Sequence, residues 1–116
     1  MEKGMKCKDI TNNVLGYIMR LPDEEFRGLT IKTLAAHFAV SRCHLSRVFH
    51  AVRGMTLNTF IKRQRLLRAE HMLNDDGFLT VKDLASRLGY SDYQYFISSF
   101  KEHWGESPGR YRKLMR

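Results

Sequence analysis

The chain has 116 residues, 43% of them hydrophobic, which suits one compact domain or two very small ones and argues against disorder. Twenty Lys and Arg against twelve Asp and Glu give a net charge of +8. Such a charge is typical of a chain that binds a polyanion, which can be nucleic acid or an acidic membrane, but it can also serve only to keep the surface soluble. No apolar run approaches the roughly 18 residues of a membrane span and the N-terminus has no signal-peptide core, so we expect a soluble cytoplasmic protein.

The residues that carry metal or catalytic chemistry are few and scattered. Cys7 and Cys43 do not form a disulfide framework, and no Cys or His pair has zinc-finger spacing. The sequence has no phosphate-cradling glycine loop, no nucleophile motif and no convergent carboxylate pair. We therefore expect reduced thiols, no metal, no cofactor and no enzymatic activity.

The first predicted element is a helix. Ile10, Val14 and Ile18 recur at four-residue spacing, as in the buried stripe of an amphipathic helix. The pair Leu21-Pro22 ends this helix, because the residue before a proline avoids helical backbone angles. No later segment shows the alternation of a strand, so we expect an all-α fold.

The rest of the chain contains two copies of one pattern. TIKTLAAHFAVS, residues 30–41, matches TVKDLASRLGYS, residues 80–91, at an offset of 50, with a Thr, a Lys, a Leu, an Ala and a Ser identical. After one inserted residue the offset is 51, and further positions agree: Leu45, Phe49, Gly54, Thr56 and Phe60 meet Phe96, Phe100, Gly105, Ser107 and Tyr111. Such a repeat predicts the same local fold twice.

Each copy is predicted to form two helices and a tight turn, which together make a helix-turn-helix motif. Thr30 and Thr80 are suited to cap the first helix, and Ser41 and Ser91 the second, because a hydroxyl can accept from a free backbone amide.

The turn itself differs between the copies. Gly89 tolerates the positive φ that such a turn needs. The first copy has Ala39 there, which either costs roughly 1 kcal/mol or implies a different turn.

A long helix is predicted between the copies, since residues 57–73 contain no Gly or Pro. Its buried side would consist of Phe60, Leu66, Ala69, Met72 and Leu73. The run Asn74-Asp75-Asp76-Gly77 is a turn signal, and Ser107-Pro108 begins a short last helix. We expect a first helix-turn-helix subdomain over 8–55, a linker helix over 56–75 and a second helix-turn-helix subdomain over 76–116.

The second helix of each copy has a side left over after its apolar stripe is buried. In the first copy the inward stripe is Leu45, Val48, Phe49 and Val52. The opposite side carries Cys43, Ser46, Arg47 and His50. In the second copy Phe96 and Phe100 point inward, which leaves Gln94, Ser98 and Lys101 outward, flanked by Tyr95 and Ile97.

These outward side chains suit the major groove of DNA. Arg47 could pair with the O6 and N7 of guanine, and Gln94 with the N6 and N7 of adenine. We predict base readout by Cys43, Ser46, Arg47, His50, Gln94, Tyr95 and Ser98. We predict phosphate contacts by Ser41, Arg42, Arg53, Ser91, Lys101, Arg110 and Arg112. Residues 40–70 carry seven basic side chains against one acid, a local charge of +6.

Plainer interpretations stand beside these. Arg47 could form a surface ion pair, His50 could be an exposed polar residue near a phosphate, and Cys43 could be a passive small side chain. The whole chain could also be a protein-interaction module of the same fold with weak or non-specific DNA binding, for which Ile97 beside Tyr93 and Tyr95 is the best support.

The repeat resembles the DNA-binding domain of AraC/XylS-type bacterial transcriptional regulators over residues 8–115. The most specific matches are Leu88-Gly89-Tyr90-Ser91, Tyr95-Phe96, Phe100-Lys101, Gly105, Pro108 and Tyr111-Arg112. The resemblance implies seven helices, with two recognition helices in successive major grooves of double-stranded promoter DNA. It also implies a regulator associated with the bacterial nucleoid that contacts RNA polymerase and often activates transcription.

Two departures from the family pattern bear on function. The second recognition helix usually reads Phe-Ser-Arg-x-Phe, and here it is Phe96-Ile97-Ser98-Ser99-Phe100, so weaker base readout is expected from the second copy. Family members also commonly carry a sensor or receiver domain upstream. We therefore expect the chain to be either an excised C-terminal domain or a member that stands alone.

Overall fold

The computed structural model describes residues 7–75 and 80–115, and within these ranges it contains helices and no strand. The α-helices are α1 (Cys7–Arg20), α2 (Ile31–His37), α3 (Arg42–Arg53), α4 (Leu57–Asp75), α5 (Val81–Arg87), α6 (Tyr93–Trp104) and α7 (Pro108–Leu114), with a 3-10 turn at Asp23–Gly28. The predicted all-α fold, with two helix-turn-helix motifs and a long helix between them, is confirmed. Asp76 and Gly77, the end of the predicted turn signal, lie outside the described residues.

The chain divides into two compact units that do not follow chain order. The first unit is Met1–Pro22 with Gly28–Lys62, and the second is Asp23–Arg27 with Arg63–Arg116. Helix α4 therefore contributes its start to the first unit and its remainder to the second. The short segment before α2 belongs to the second unit, although it comes early in the sequence.

The first unit contains α1, α2 and α3. As predicted, α1 buries Ile10, Val14 and Ile18. Helix α2 begins after Thr30, whose hydroxyl accepts from the Thr33 amide at 3.1 Å, while the Thr33 hydroxyl accepts from the Thr30 amide at 3.0 Å. This reciprocal pair satisfies two amides that the first turn of a helix leaves free.

The turns of the two motifs share a left-handed residue. Ala39 has φ 58° and Gly89 has φ 94°. The first copy thus keeps the tight turn at the conformational cost of an alanine. At Gly89 a side chain is excluded twice over, because a Cβ there would lie 2.7 Å from the Arg27 Cα.

In the second unit, the segment Asp23–Arg27 packs against α4. The Phe26 ring is fully buried. The guanidinium of Arg68 lies 4.3 Å from the centroid of this ring, and that of Arg65 lies 5.9 Å from it. Arg65 also donates to the Phe26 carbonyl at 3.0 Å, and Arg68 pairs with Asp23 at 3.1 Å. Both ends of the segment are therefore fastened to α4.

The aromatic side chains of α6 and α7 complete the second unit. Phe96 and Phe100 are fully buried, as predicted, whereas Trp104 and Tyr111 are half-buried. The Trp104 indole donates to the Leu66 carbonyl at 3.2 Å. The Tyr111 hydroxyl donates to Glu70 at 2.6 Å, and this hydrogen bond raises the pKa of Tyr111 to about 12.

Candidate nucleic-acid interface

Helix α3 presents a polar side over a buried apolar side. Its first turn is capped by Ser41, whose hydroxyl accepts from the His44 amide at 3.0 Å, and it ends at Gly54 with φ 75°. Leu45, Val48 and Phe49 are buried, as the spacing predicts. The prediction that Val52 belongs to the inward stripe is wrong. Val52 is 36% exposed, because it lies in the last turn of α3, beyond the end of the buried stripe.

The residues predicted to read bases from α3 lie on its free side. Cys43, Arg47 and His50 are exposed, and Ser46 is half-buried. The predicted phosphate ligands occupy both ends of the helix: Ser41 and Arg42 at its start, and Arg53 at its last position, all of them exposed. The helix thus carries hydrogen-bonding side chains along one face and cations at each end, an arrangement that fits the groove and backbone of a duplex.

Helix α6 has the same design with different chemistry. Its residues Phe96 and Phe100 face the core, while Gln94, Tyr95 and Ser98 are exposed. The Tyr95 side chain is 48% exposed and its ring lies 6.3 Å from that of Tyr90. This face therefore combines two short hydrogen-bonding side chains with one exposed aromatic ring.

The cap of α6 differs from the predicted one. The prediction that Ser91 caps this helix, by analogy with Ser41, is wrong. Asp92 is the cap, and its carboxylate accepts from the amides of Gln94 at 3.0 Å and Tyr95 at 3.3 Å. A carboxylate is favourable there because the first amides of a helix carry partial positive charge. The preference of Asp for N-cap positions was the available signal, and the repeat alignment concealed it.

The predicted phosphate ligands of the second unit are not equally available. Ser91, Lys101 and Arg110 are exposed, and Arg112 is half-buried. Arg110 pairs with Glu106 at 3.0 Å in an exposed i,i+4 pair, which is weak enough to exchange for a phosphate. Lys101 lies on the outward side of α6, one turn beyond Ser98.

Sequence reasoning missed the pair that supports the turn before α6. The guanidinium of Arg65 lies 5.7 Å from the centroid of the Tyr90 ring, which in turn lies 4.8 Å from the ring of Phe96. Burial lowers the pKa of Arg65 and raises the pKa of Tyr90 to about 12. Periodicity could not show this contact, since it joins α4 to a turn 25 residues further along the chain.

Other kinds of site find no support in the described residues. No group of three His, Cys, Asp or Glu side chains within 7–75 and 80–115 could hold a metal ion. In the same part of the chain no helix is long and apolar enough to cross a bilayer. Cys43 is an exposed free thiol.

The fold and this pair of outward helices define a helix-turn-helix protein. A family model described as a helix-turn-helix domain matches residues 34–114, more than two thirds of the chain. The chain belongs to the AraC/XylS-type family of helix-turn-helix domains, which are DNA-binding domains of transcription regulators and not enzymes.

Relatives and a solved structure agree with this assignment. The chain is 29% identical to the probable transcription factor PqrA of Proteus vulgaris, over 92% of this chain and 86% of PqrA. It is 34% identical to the transcriptional activator AarP of Providencia stuartii, over 72% of this chain and 62% of AarP. The DNA-binding domain of AdpA, solved in complex with a target DNA, is 25% identical, with a TM-score of 0.77 over 91% of this chain and 92% of that domain.

Many relatives are longer than this chain. The chain spans between 14% and 41% of six further curated relatives. The matched region is therefore only part of each of these proteins, and the function of the whole protein also depends on the parts outside it.

Proposed function

We propose that the chain binds a specific sequence of double-stranded promoter DNA, with α3 and α6 each inserted into a major groove and the two grooves successive. The observation that carries this proposal is the exposed polar face on the second helix of both motifs, opposite a fully buried apolar face. The DNA complex of AdpA, a solved relative of the same fold, supports it.

The roles of the individual side chains follow from their chemistry. Arg47, exposed in the middle of α3, would read guanine bidentately, and Gln94, exposed in the first turn of α6, would read adenine. Cys43, Ser46, His50, Tyr95 and Ser98 would complete the base-reading set. The exposed Ser41, Arg42, Arg53, Ser91, Lys101 and Arg110, with the half-buried Arg112, would hold phosphates.

The proposal extends to transcription. We infer that the bound domain contacts RNA polymerase and activates its promoter, as the name of AarP states for that relative. The longer relatives leave room for a sensor or receiver domain beside such a module, and a domain of this kind would control the DNA binding of this chain. Binding to chromosomal DNA would place the protein in the cytoplasm, at the nucleoid.

The test of specific binding is a comparison of two duplexes over a salt series. A duplex selected from a random library by the protein should bind at least about a thousandfold more tightly than an unselected one, and its affinity should fall steeply with salt. Equal and weak binding to both duplexes would contradict the proposal. It would favour the alternative of a protein-interaction module. The support for that alternative is reduced to the exposed Tyr95, because Ile97 and Tyr93 are half-buried.

Single substitutions test the readout. Arg47→Ala should cost about 1–3 kcal/mol of binding free energy and relax specificity at one base pair. Ser98→Ala, at the repeat position that matches Arg47, should cost less binding free energy, because a hydroxyl cannot pair bidentately with guanine.

Gln94→Ala should relax the sequence specificity at one further base pair. If it weakens binding to every sequence equally, Gln94 is not a base reader.

A further inference from the structure

The second unit contains a cleft of about 350 Å³ beside the turn between α5 and α6. Arg27 and Lys82 line it, together with the hydroxyl-bearing side chains of Ser86, Ser91 and Tyr93. None of the described residues that line it is acidic. The cleft thus brings two cations and several hydrogen-bond donors around one space.

Among the residues that the structure describes, neither cation has a partner. The side chains of Arg27 and Lys82 are exposed, and neither forms a hydrogen bond or an ion pair with another described residue. The nearest acid in sequence on the α6 side, Asp92, directs its carboxylate to the amides of Gln94 and Tyr95. The described residues that line the cleft therefore contribute two positive charges and no negative one.

Arg27 reaches this place from outside both helix-turn-helix motifs. Its backbone is pressed against the turn, since a Cβ added to Gly89 would lie 2.7 Å from the Arg27 Cα and 3.2 Å from its carbonyl oxygen. The neighbouring Phe26 is fully buried and its carbonyl accepts from Arg65. The backbone of Arg27 is thus held by its close approach to Gly89 and by the burial of the neighbouring Phe26.

The cations and hydroxyl groups that line the cleft are suited to the oxygens of a phosphate group. Arg and Lys with hydroxyl donors are the groups that proteins use for phosphate oxygens. Tyr93 is the first residue of α6, so the cleft opens where that helix begins. If α6 enters the major groove, the backbone that borders the groove passes this point.

We propose that the cleft binds one phosphate of the DNA backbone next to α6, with Arg27 and Lys82 as its charged ligands and Ser86 and Ser91 as hydroxyl donors. This rests on the proposed function. It adds a ligand, Arg27, that belongs to neither motif and that the repeat does not reveal.

The first experiment measures the salt dependence of binding to a duplex selected by the wild-type protein. The plot of log K against log salt concentration has a negative slope. In the double variant Arg27→Gln/Lys82→Gln this slope should become shallower by about 1, which corresponds to the loss of one phosphate contact. It should weaken selected and unselected duplexes by the same factor. The charge-matched control is Lys8→Gln/Arg20→Gln, two exposed cations of α1, which should leave the slope within half a unit of wild type.

The second experiment locates the phosphate. Methylphosphonate is placed at one backbone position of the duplex at a time, which removes a single charge. Several positions should weaken binding in wild type, and one of them, beside the α6 half of the site, should have no effect in the double variant. Thermal unfolding of both double variants checks that these exposed substitutions leave the fold intact.

The outcomes separate the two proposals. A wild-type protein that binds no duplex overturns the proposed function. If the wild-type protein binds, and the double variant shows the same salt slope and the same methylphosphonate profile, only the proposal of a phosphate site in the cleft is overturned. Inorganic phosphate is titrated in parallel. If it shifts the amide signals of Gly89 and Ser91 while no backbone position depends on Arg27 and Lys82, the cleft serves a free anion and the DNA contact is wrong.

Discussion

Helix α3 offers solvent a guanidinium, a thiol and an imidazole, whereas the equivalent positions of α6 offer a hydroxyl, an amide and an amine. The buried halves of the two helices match instead, with Leu45 and Phe49 in the places of Phe96 and Phe100. The repeat has therefore kept the side that folds and changed the side that faces outward. Two motifs with one backbone plan need not recognise the same bases.

The starts of these helices differ in charge as well. Ser41 caps α3 with a neutral hydroxyl and is followed by exposed Arg42, while Asp92 caps α6 with a carboxylate. An anionic cap stabilises a helix but repels a phosphate at the same end. The second motif then needs cations from elsewhere, and Arg27 and Lys82 lie beside it.

The core of the second unit is completed by Phe26, which comes from a separate segment of the chain, and the largest predicted effect tests this contribution. Phe26→Ala should lower the free energy of unfolding by about 3–5 kcal/mol, because it removes a fully buried ring that two guanidinium groups cover. Amide hydrogen exchange should show the loss of protection mainly in residues 63–115. Phe49→Ala, an equally buried ring in the first unit, is the matched control and should act mainly on residues 7–22 and 28–62. Identical protection patterns in both variants would show that the units do not respond separately.

The turn residues allow a reciprocal exchange. Gly89→Ala should destabilise by roughly 2–4 kcal/mol, since it combines a left-handed alanine with a contact to the Arg27 backbone. Ala39→Gly should instead stabilise the fold by about 0.5–1 kcal/mol. It removes the strain of an alanine at positive φ, and this gain exceeds the extra conformational entropy that a glycine loses on folding. Urea unfolding measures both. Equal and opposite values would mean that the clash at Gly89 relaxes and only the φ matters.

The last prediction concerns alkaline pH and the second unit. The pKa values of Tyr90, by burial, and of Tyr111, by its hydrogen bond to Glu70, are both raised to about 12 in the folded protein. An unfolded tyrosine has a pKa of about 10. The stabilisation from these protons is therefore complete below about pH 10 and is lost as pH rises towards 12. Trp104 fluorescence during urea unfolding at pH 9, 10 and 11 should show this decline.

Tyr111→Phe is the control for that decline. This variant removes one of the two hydroxyls whose pKa is raised in the folded protein, so its free energy of unfolding should fall less steeply with rising pH than that of wild type. An unchanged slope would show that Tyr111 is not a source of the effect.

Most of the helices could be predicted from local chemistry. Thr30, Thr80 and Ser41 cap helices as expected, and the spacing of Ile10, Val14 and Ile18 located α1. These predictions worked because capping and amphipathic burial depend on residues within a few positions of one another.

Long-range contacts escaped the same reasoning. Nothing in the spacing of Phe26 shows that it packs on Arg65 and Arg68, 39 and 42 residues away. The outward faces of α3 and α6 could be read from the sequence, but the cleft could not. Its two cations are brought together by the packing of Arg27 on Gly89, which no periodicity encodes.

The early position of Phe26 has a consequence for synthesis on the ribosome. Residue 26 is made 39 residues before its hydrogen-bonding partner Arg65. At roughly 5–20 residues per second this interval lasts about 2–8 s, and Tyr90 and α6 come later still. The Phe26 ring is thus made well before Arg65 and Arg68, the two residues whose guanidinium groups cover it. The second unit begins upstream of α2 and extends past Lys62, so its synthesis starts before the first unit is complete and ends after it.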